Sequence, residues 1–145
     1  MNTVSKRRKL VCLAALSGVI LMGAGCSSMG GRGGGTLSGA QEVPPNPSTA
    51  SGTSTIKVAP DKSVTGMVTY TGLAATAAHI HEAAPGSNGA VIVPLIKASE
   101  SSFSVPPGAV LTDTQYNDYL AGNLYVNVHS ATYPGGEIRM QLKPK

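Results

Sequence analysis

Two stretches near the C-terminus, Leu124-Tyr125-Val126-Asn127-Val128-His129 and Glu137-Ile138-Arg139-Met140-Gln141-Leu142, place a strongly apolar residue at every second position. A strand points successive side chains to opposite faces, so this two-residue period is the signature of a strand with one face on a core. Short β-branched or alternating runs recur upstream over 37–43, 53–58, 64–71, 78–82, 90–96 and 103–105, separated by Gly, Pro, Asn and Asp. Pro60-Asp61-Lys62 is expected to turn the second run into the third, and Pro134-Gly135-Gly136 to join the last pair as a hairpin. About eight strands punctuated in this way predict an all-β fold, a Greek-key-like antiparallel β-sandwich. One short helix interrupts the pattern. Thr112 with Gln115 three residues on reads as a capping box, Tyr116, Tyr119 and Leu120 share a face, and Gly122 can end the helix, which is expected to pack across one end of the sandwich.

The N-terminus has a different character. Lys6-Arg7-Arg8-Lys9 precedes an uncharged apolar run over 10–24, followed by Gly25-Cys26-Ser27-Ser28. Basic, apolar and small-residue segments in that order form an export signal, and about fifteen apolar residues fall short of the roughly twenty that span a bilayer. Gly23-Ala24-Gly25-Cys26 resembles the lipobox of bacterial lipoproteins at the two positions before the cysteine. Residues 1–25 are therefore expected to be a cleaved lipoprotein signal peptide and Cys26 the lipidated residue, which makes the membrane a partner and places the protein outside the cytoplasm, anchored to the cell envelope. Cys12 falls in the removed segment, so the mature chain forms no internal disulfide. Residues 26–35, ending in a glycine-rich run, read as the lipidated cysteine and a tether, and 36–145 as one folded domain.

Charge narrows the partners. The formal net charge is +4, and Lys6, Arg7, Arg8 and Lys9 supply all of the excess. From Cys26 onward seven basic residues face seven acidic ones. No basic surplus remains to neutralise a phosphate backbone, which excludes nucleic acid. No serine lies in a nucleophile elbow. The single cysteine of the mature chain excludes thiol-disulfide exchange and any multi-cysteine metal site. Gly86-Ser87-Asn88-Gly89 lacks a following helix or lysine and reads as a turn.

The three histidines, His79, His81 and His129, carry the most chemistry. His79 and His81 are alternate residues of one expected strand, so they share a face with Cα atoms about 6.6 Å apart. The alternation puts His129 on the same side as Tyr125 and Asn127, opposite Leu124, Val126 and Val128, so all three histidines are expected on the outer face of the sheet or at its end. Imidazoles so spaced can share one ion at about 2.0–2.1 Å, and a three-nitrogen set suits copper or zinc. Glu82, Glu137 and Arg139 are candidates for orienting these ligands, although Glu137 and Arg139 also read as a structural ion pair. Set against this, histidines on a polar strand face often do nothing.

The blocks Leu37-Ser38-Gly39-Ala40-Gln41-Glu42-Val43-Pro44-Pro45, Ala78-His79-Ile80-His81, Tyr125-Val126-Asn127-Val128-His129 and Gly136-Glu137-Ile138-Arg139 resemble, in order, those of the chordin-type (CHRD) domain. The resemblance spans 36–145 and implies an extracytoplasmic β-sandwich. More distantly, Val64-Thr65-Gly66 through Gly72-Leu73 and His79-Ile80-His81-Glu82 are similar to the copper-ligand strand of copper/zinc superoxide dismutase, with His129 placed like that family's last copper ligand. That family's bridging histidine and separate zinc ligands have no counterpart, since no histidine lies between His81 and His129.

Three readings follow. The first is a lipid-anchored module holding or delivering copper through His79, His81 and His129, without turnover. The second is an envelope structural or protein-interaction module, and the third a dismutase-like redox enzyme.

Overall fold

The computed structural model describes residues 34–144. The expected signal peptide, Cys26 and the tether up to residue 33 lie outside the described residues. The described chain is mostly antiparallel β: β1 Gly35–Ser38, β2 Ser51–Ser54, β3 Lys57–Val58, β4 Val64–Thr65, β5 Met67–Thr71, β6 Ala75–Glu82, β7 Ala90–Pro94, β8 Ile96–Ser99, β9 Ser102–Ser104, β10 Leu124–Ser130 and β11 Ile138–Gln141, with one α-helix, α1, over Asp113–Leu120 between β9 and β10. The all-β class and the single helix are as the sequence reading had them. Gly35, read as the last tether residue, already opens β1.

Nine strands form one sheet in the order β7-β6-β10-β11-β1-β2-β5-β9-β8, and β3 pairs with β4 as a separate ribbon. The connections show how that sheet is shaped. β5 and β6 stand five places apart in the order, about 24 Å in a flat sheet at ~4.8 Å per strand. Only residues 72–74 join them, a link that reaches about 14 Å at ~3.6 Å per residue. The two edge strands are closer still in sequence, since Leu95 alone separates β7 from β8. The sheet therefore doubles over on itself into two layers, and its edges meet at Leu95. Leu37, Val68, Ile80, Phe103, Val126 and Ile138 fill the space between the layers.

The apolar half of each alternating run supplies this core: Leu124, Val126, Val128 and Ile138 have no exposed surface. Several expected strands are shorter or split. The run 37–43 ends as a strand at Ser38 and continues as a 3-10 turn over Gly39–Gln41. The run 64–71 breaks at Gly66, whose φ of +116° and backbone neighbour Thr55, whose oxygen would lie 2.6 Å from a Cβ there, exclude a side chain. The helix is capped as expected, with Thr112 Oγ1 accepting from the Gln115 amide and the Gln115 side chain accepting from Thr112 N–H. Tyr119 is buried in the core, whereas Leu120 stands half exposed.

Candidate metal centre

β10 lies between β6 and β11. Its register sets His79 opposite Asn127 and His81 opposite Tyr125, and on the other side Arg139 opposite Asn127 and Gln141 opposite Tyr125. The polar halves of three alternating runs thus form one patch. Breaks in the ladder fall beside the histidines, between Ile80 and His81 on the β7 side and between His129 and Ser130 on the β6 side. Such irregularities bend a strand and re-aim its side chains.

This patch is not the solvent-facing surface expected from alternation. Every residue of β10 is buried on both faces, with Tyr125 at 2 %, Asn127 at 1 % and Arg139 at 2 % exposure. Three connections roof it. Ser87 and Asn88 accept from the Arg139 guanidinium, at 2.8 and 3.0 Å. Asn88 in turn donates to the Val43 carbonyl, and the turn before β11 supplies the Pro134 and Gly135 carbonyls. Alternation reveals which side chains share a face; it carries no information about loops that later cover that face.

Beneath this roof His79, His81 and His129 each offer a nitrogen, all within 4.8 Å of one another. The hydrogen bonds decide which nitrogens are free. His81 Nδ1 is 3.0 Å from the Gly89 carbonyl and His129 Nδ1 is 3.0 Å from the Pro134 carbonyl. A carbonyl only accepts, so both Nδ1 atoms carry the proton and both Nε2 atoms present a lone pair. His129 Nε2 lies 3.0 Å from His79 Nδ1, which accordingly donates to it. His81 Nε2 is buried and has no hydrogen-bond partner. A buried imidazole nitrogen with its lone pair free and its other nitrogen bonded to a carbonyl is the arrangement metal-ligating histidines use.

Electrostatics keep the rings neutral. Burial pushes the pKa of all three histidines below its ordinary value. The neighbouring histidines add to this at His79 and His129, and Arg139 adds to it at His81. Neutral imidazole is the ligating form. Nitrogens around one ion at about 2.1 Å can be at most about 4.2 Å apart. The 3.0 Å pair is within that span once the His79 proton passes from Nδ1 to Nε2, and the 4.8 Å limit is within a small side-chain rotation of it.

The expected supporting residues divide. Arg139 belongs to the site, but through Tyr125: its guanidinium carbon lies 3.4 Å from the Tyr125 ring centre, and the opposite face of that ring stacks on His81 at 4.7 Å, 2° from parallel. Glu137 does not pair with Arg139; its Oε1 accepts from Ser48 Oγ at 2.6 Å, tying the start of β11 to the loop before β2. Glu82 turns away from the histidines toward Asp118 of α1, and burial and that acid raise its pKa. Sequence reasoning missed Glu42. Its carboxyl is 5 % exposed, its Oε1 has no hydrogen-bond partner, and burial raises its pKa to about 7 against the opposing pull of Arg139 and Asn127. The only signal for it was its place in the stretch Leu37-Ser38-Gly39-Ala40-Gln41-Glu42-Val43-Pro44-Pro45.

Comparison with curated proteins and with solved structures returns no match. The family model described as the CHRD domain matches residues 34–142, every strand and all three histidines included. The chain belongs to the CHRD domain family.

Proposed function

We propose that this chain is a lipid-anchored, extracytoplasmic CHRD domain that binds a transition metal, copper, through His79, His81 and His129, and holds or delivers it. The observation that carries the reading is the locked tautomer pair: the Gly89 and Pro134 carbonyls fix His81 and His129 with both Nε2 lone pairs available, that of His129 against His79 and that of His81 buried without a partner. A structural role alone does not require a buried imidazole nitrogen left without a partner, which costs about 1–3 kcal/mol. When bound, the ion would supply Lewis acidity or a one-electron couple; the chain supplies three neutral donors. The basic and apolar segments before Cys26 support the export part of this reading, and Cys26, as the lipid acceptor, the anchoring part.

The test is metal content and copper titration of the purified protein beside a variant with all three histidines changed to Ala. Near one tightly held copper per wild-type chain, lost in a variant that keeps its far-UV spectrum, is the expected result. No tight metal in either protein would sink the reading and leave an envelope interaction module in its place.

A further inference from the structure

Building on the metal-binding reading, we propose that the site selects copper in its monovalent state over copper(II) and over zinc, and that the Arg139–Tyr125–His81 stack is the device that biases it.

Four observations converge on charge. The ligand group contains only imidazoles; among the described residues no carboxylate or thiolate joins it. The nearby carboxylates are directed elsewhere, Glu137 to Ser48 and Glu82 to Asp118, while Glu42 lies against Asn127 and Gly136. His81 and His129 are buried, and the cost of burying an ion grows as the square of its charge, about fourfold from monovalent to divalent in the Born picture. Finally, Arg139 holds a fixed positive charge behind His81. Its spacing of 3.4 Å to the Tyr125 ring centre, with 4.7 Å from that ring to His81, puts it within about 8 Å of the imidazole, and its repulsion of a divalent ion is about twice that of a monovalent one at the same distance.

Donor number points the same way. Three nitrogens complete the shell of a closed-shell monovalent copper, whereas copper(II) prefers four or more donors in a tetragonal array. Asn88 and Ser87 clamp the guanidinium against the Tyr125 ring, so the cation is part of the folded site and not a free surface charge.

The experiment measures three affinities of the full-length protein: copper(I) against bicinchoninate without oxygen, copper(II) against glycine, and zinc against a chromophoric chelator. Copper(I) held at least a hundredfold tighter than either divalent ion is the expected result, each tenfold in the copper ratio corresponding to about 59 mV in the one-electron potential. Arg139→Gln should lower the copper(I)-to-copper(II) ratio about tenfold, while Arg139→Lys, which keeps the charge, should retain most of it. Asn88→Asp, at an exposed position, keeps an oxygen for the guanidinium but sets a negative charge against it; it should shift the ratio in the same direction and serves if Arg139→Gln does not fold. Copper(II) or zinc held as tightly as copper(I) overturns the proposal while the metal-binding reading stands. No binding of any of the three ions overturns both.

Discussion

The imidazole of His81 and the phenol ring of Tyr125 lie face to face, 4.7 Å between centroids and 2° from parallel, on neighbouring strands whose register sets the two residues directly opposite each other. Tyr125 thereby holds a ligand ring in plane with one face and receives a guanidinium on the other. Its hydroxyl also accepts from the Gly89 amide at 3.3 Å, the residue whose carbonyl fixes the His81 tautomer. Removing only the hydroxyl with Tyr125→Phe is expected to cost about 1 kcal/mol and leave the stack intact. Tyr125→Ala removes the whole ring and is expected to cost about 3–5 kcal/mol. Urea unfolding of the metal-free protein measures both, and equal costs for the two variants would contradict the ring's role.

The histidines make stability depend on pH in one direction. Their folded-state pKa values are lowered, chiefly by burial. Between about 6.5 and those lowered values the unfolded chain takes up protons that the folded chain refuses, so their contribution is whole above about pH 6.5 and is lost as pH falls through the folded values. Copper sharpens this, because only neutral imidazole binds it. The rise in melting temperature produced by copper should shrink steadily below about pH 6. A rise that persists unchanged to about pH 4 would mean that the donors are not histidines.

Glu42 has the opposite sign. Its pKa is raised to about 7 from 4.5, so between those values the unfolded chain loses a proton that the folded chain keeps. Its stabilising contribution is whole below about pH 4.5 and is lost as pH rises to about 7. At ~1.4 kcal/mol per unit the shift amounts to roughly 3 kcal/mol. Glu42→Gln should therefore be more stable than wild type at pH 8 and close to it at pH 4.5. Chemical denaturation at the two pH values checks this, and a variant less stable at pH 8 would show that the carboxylate is compensated in the folded protein.

Much of this was legible in the sequence, and particular residues show where legibility ended. The alternation in 124–129 and 137–142 identified the core face through Leu124, Val126 and Ile138, and the same counting put His79, His81 and His129 on one side. Thr112 and Gln115 announced the helix because capping is chemistry between residues close in the chain. The roof over the histidines was not readable. It depends on contacts such as Arg139 with Ser87 and Asn88, and Asn46 with the Glu137 carbonyl, which join segments about 50 and 90 residues apart. Glu137 and Arg139 stand two apart in an outward row, which suggested an ion pair. In the folded chain each has a better-placed partner contributed by a loop.

Gly136 shows how the roof constrains the floor beneath it. Its φ is +133°, and a Cβ there would sit 2.5 Å from both Asn127 Nδ2 and Glu42 Oε1. Gly136→Ala must therefore adopt a conformation that L-residues avoid and also push apart two buried polar side chains beside the ligand strand. Gly86 separates these effects, since it too has positive φ, +80°, but nothing lies within 4 Å of its Cβ position. Gly86→Ala is expected to cost about 1 kcal/mol from backbone strain alone, with copper affinity unchanged. Gly136→Ala is expected to cost about 2–4 kcal/mol and to weaken copper binding, because Asn127 lies directly across from His79 and two residues from His129. Equal losses in the two variants, by denaturant midpoint and copper titration, would mean that Gly136 is required only for its backbone angle and that Asn127 does not buttress the ligand face.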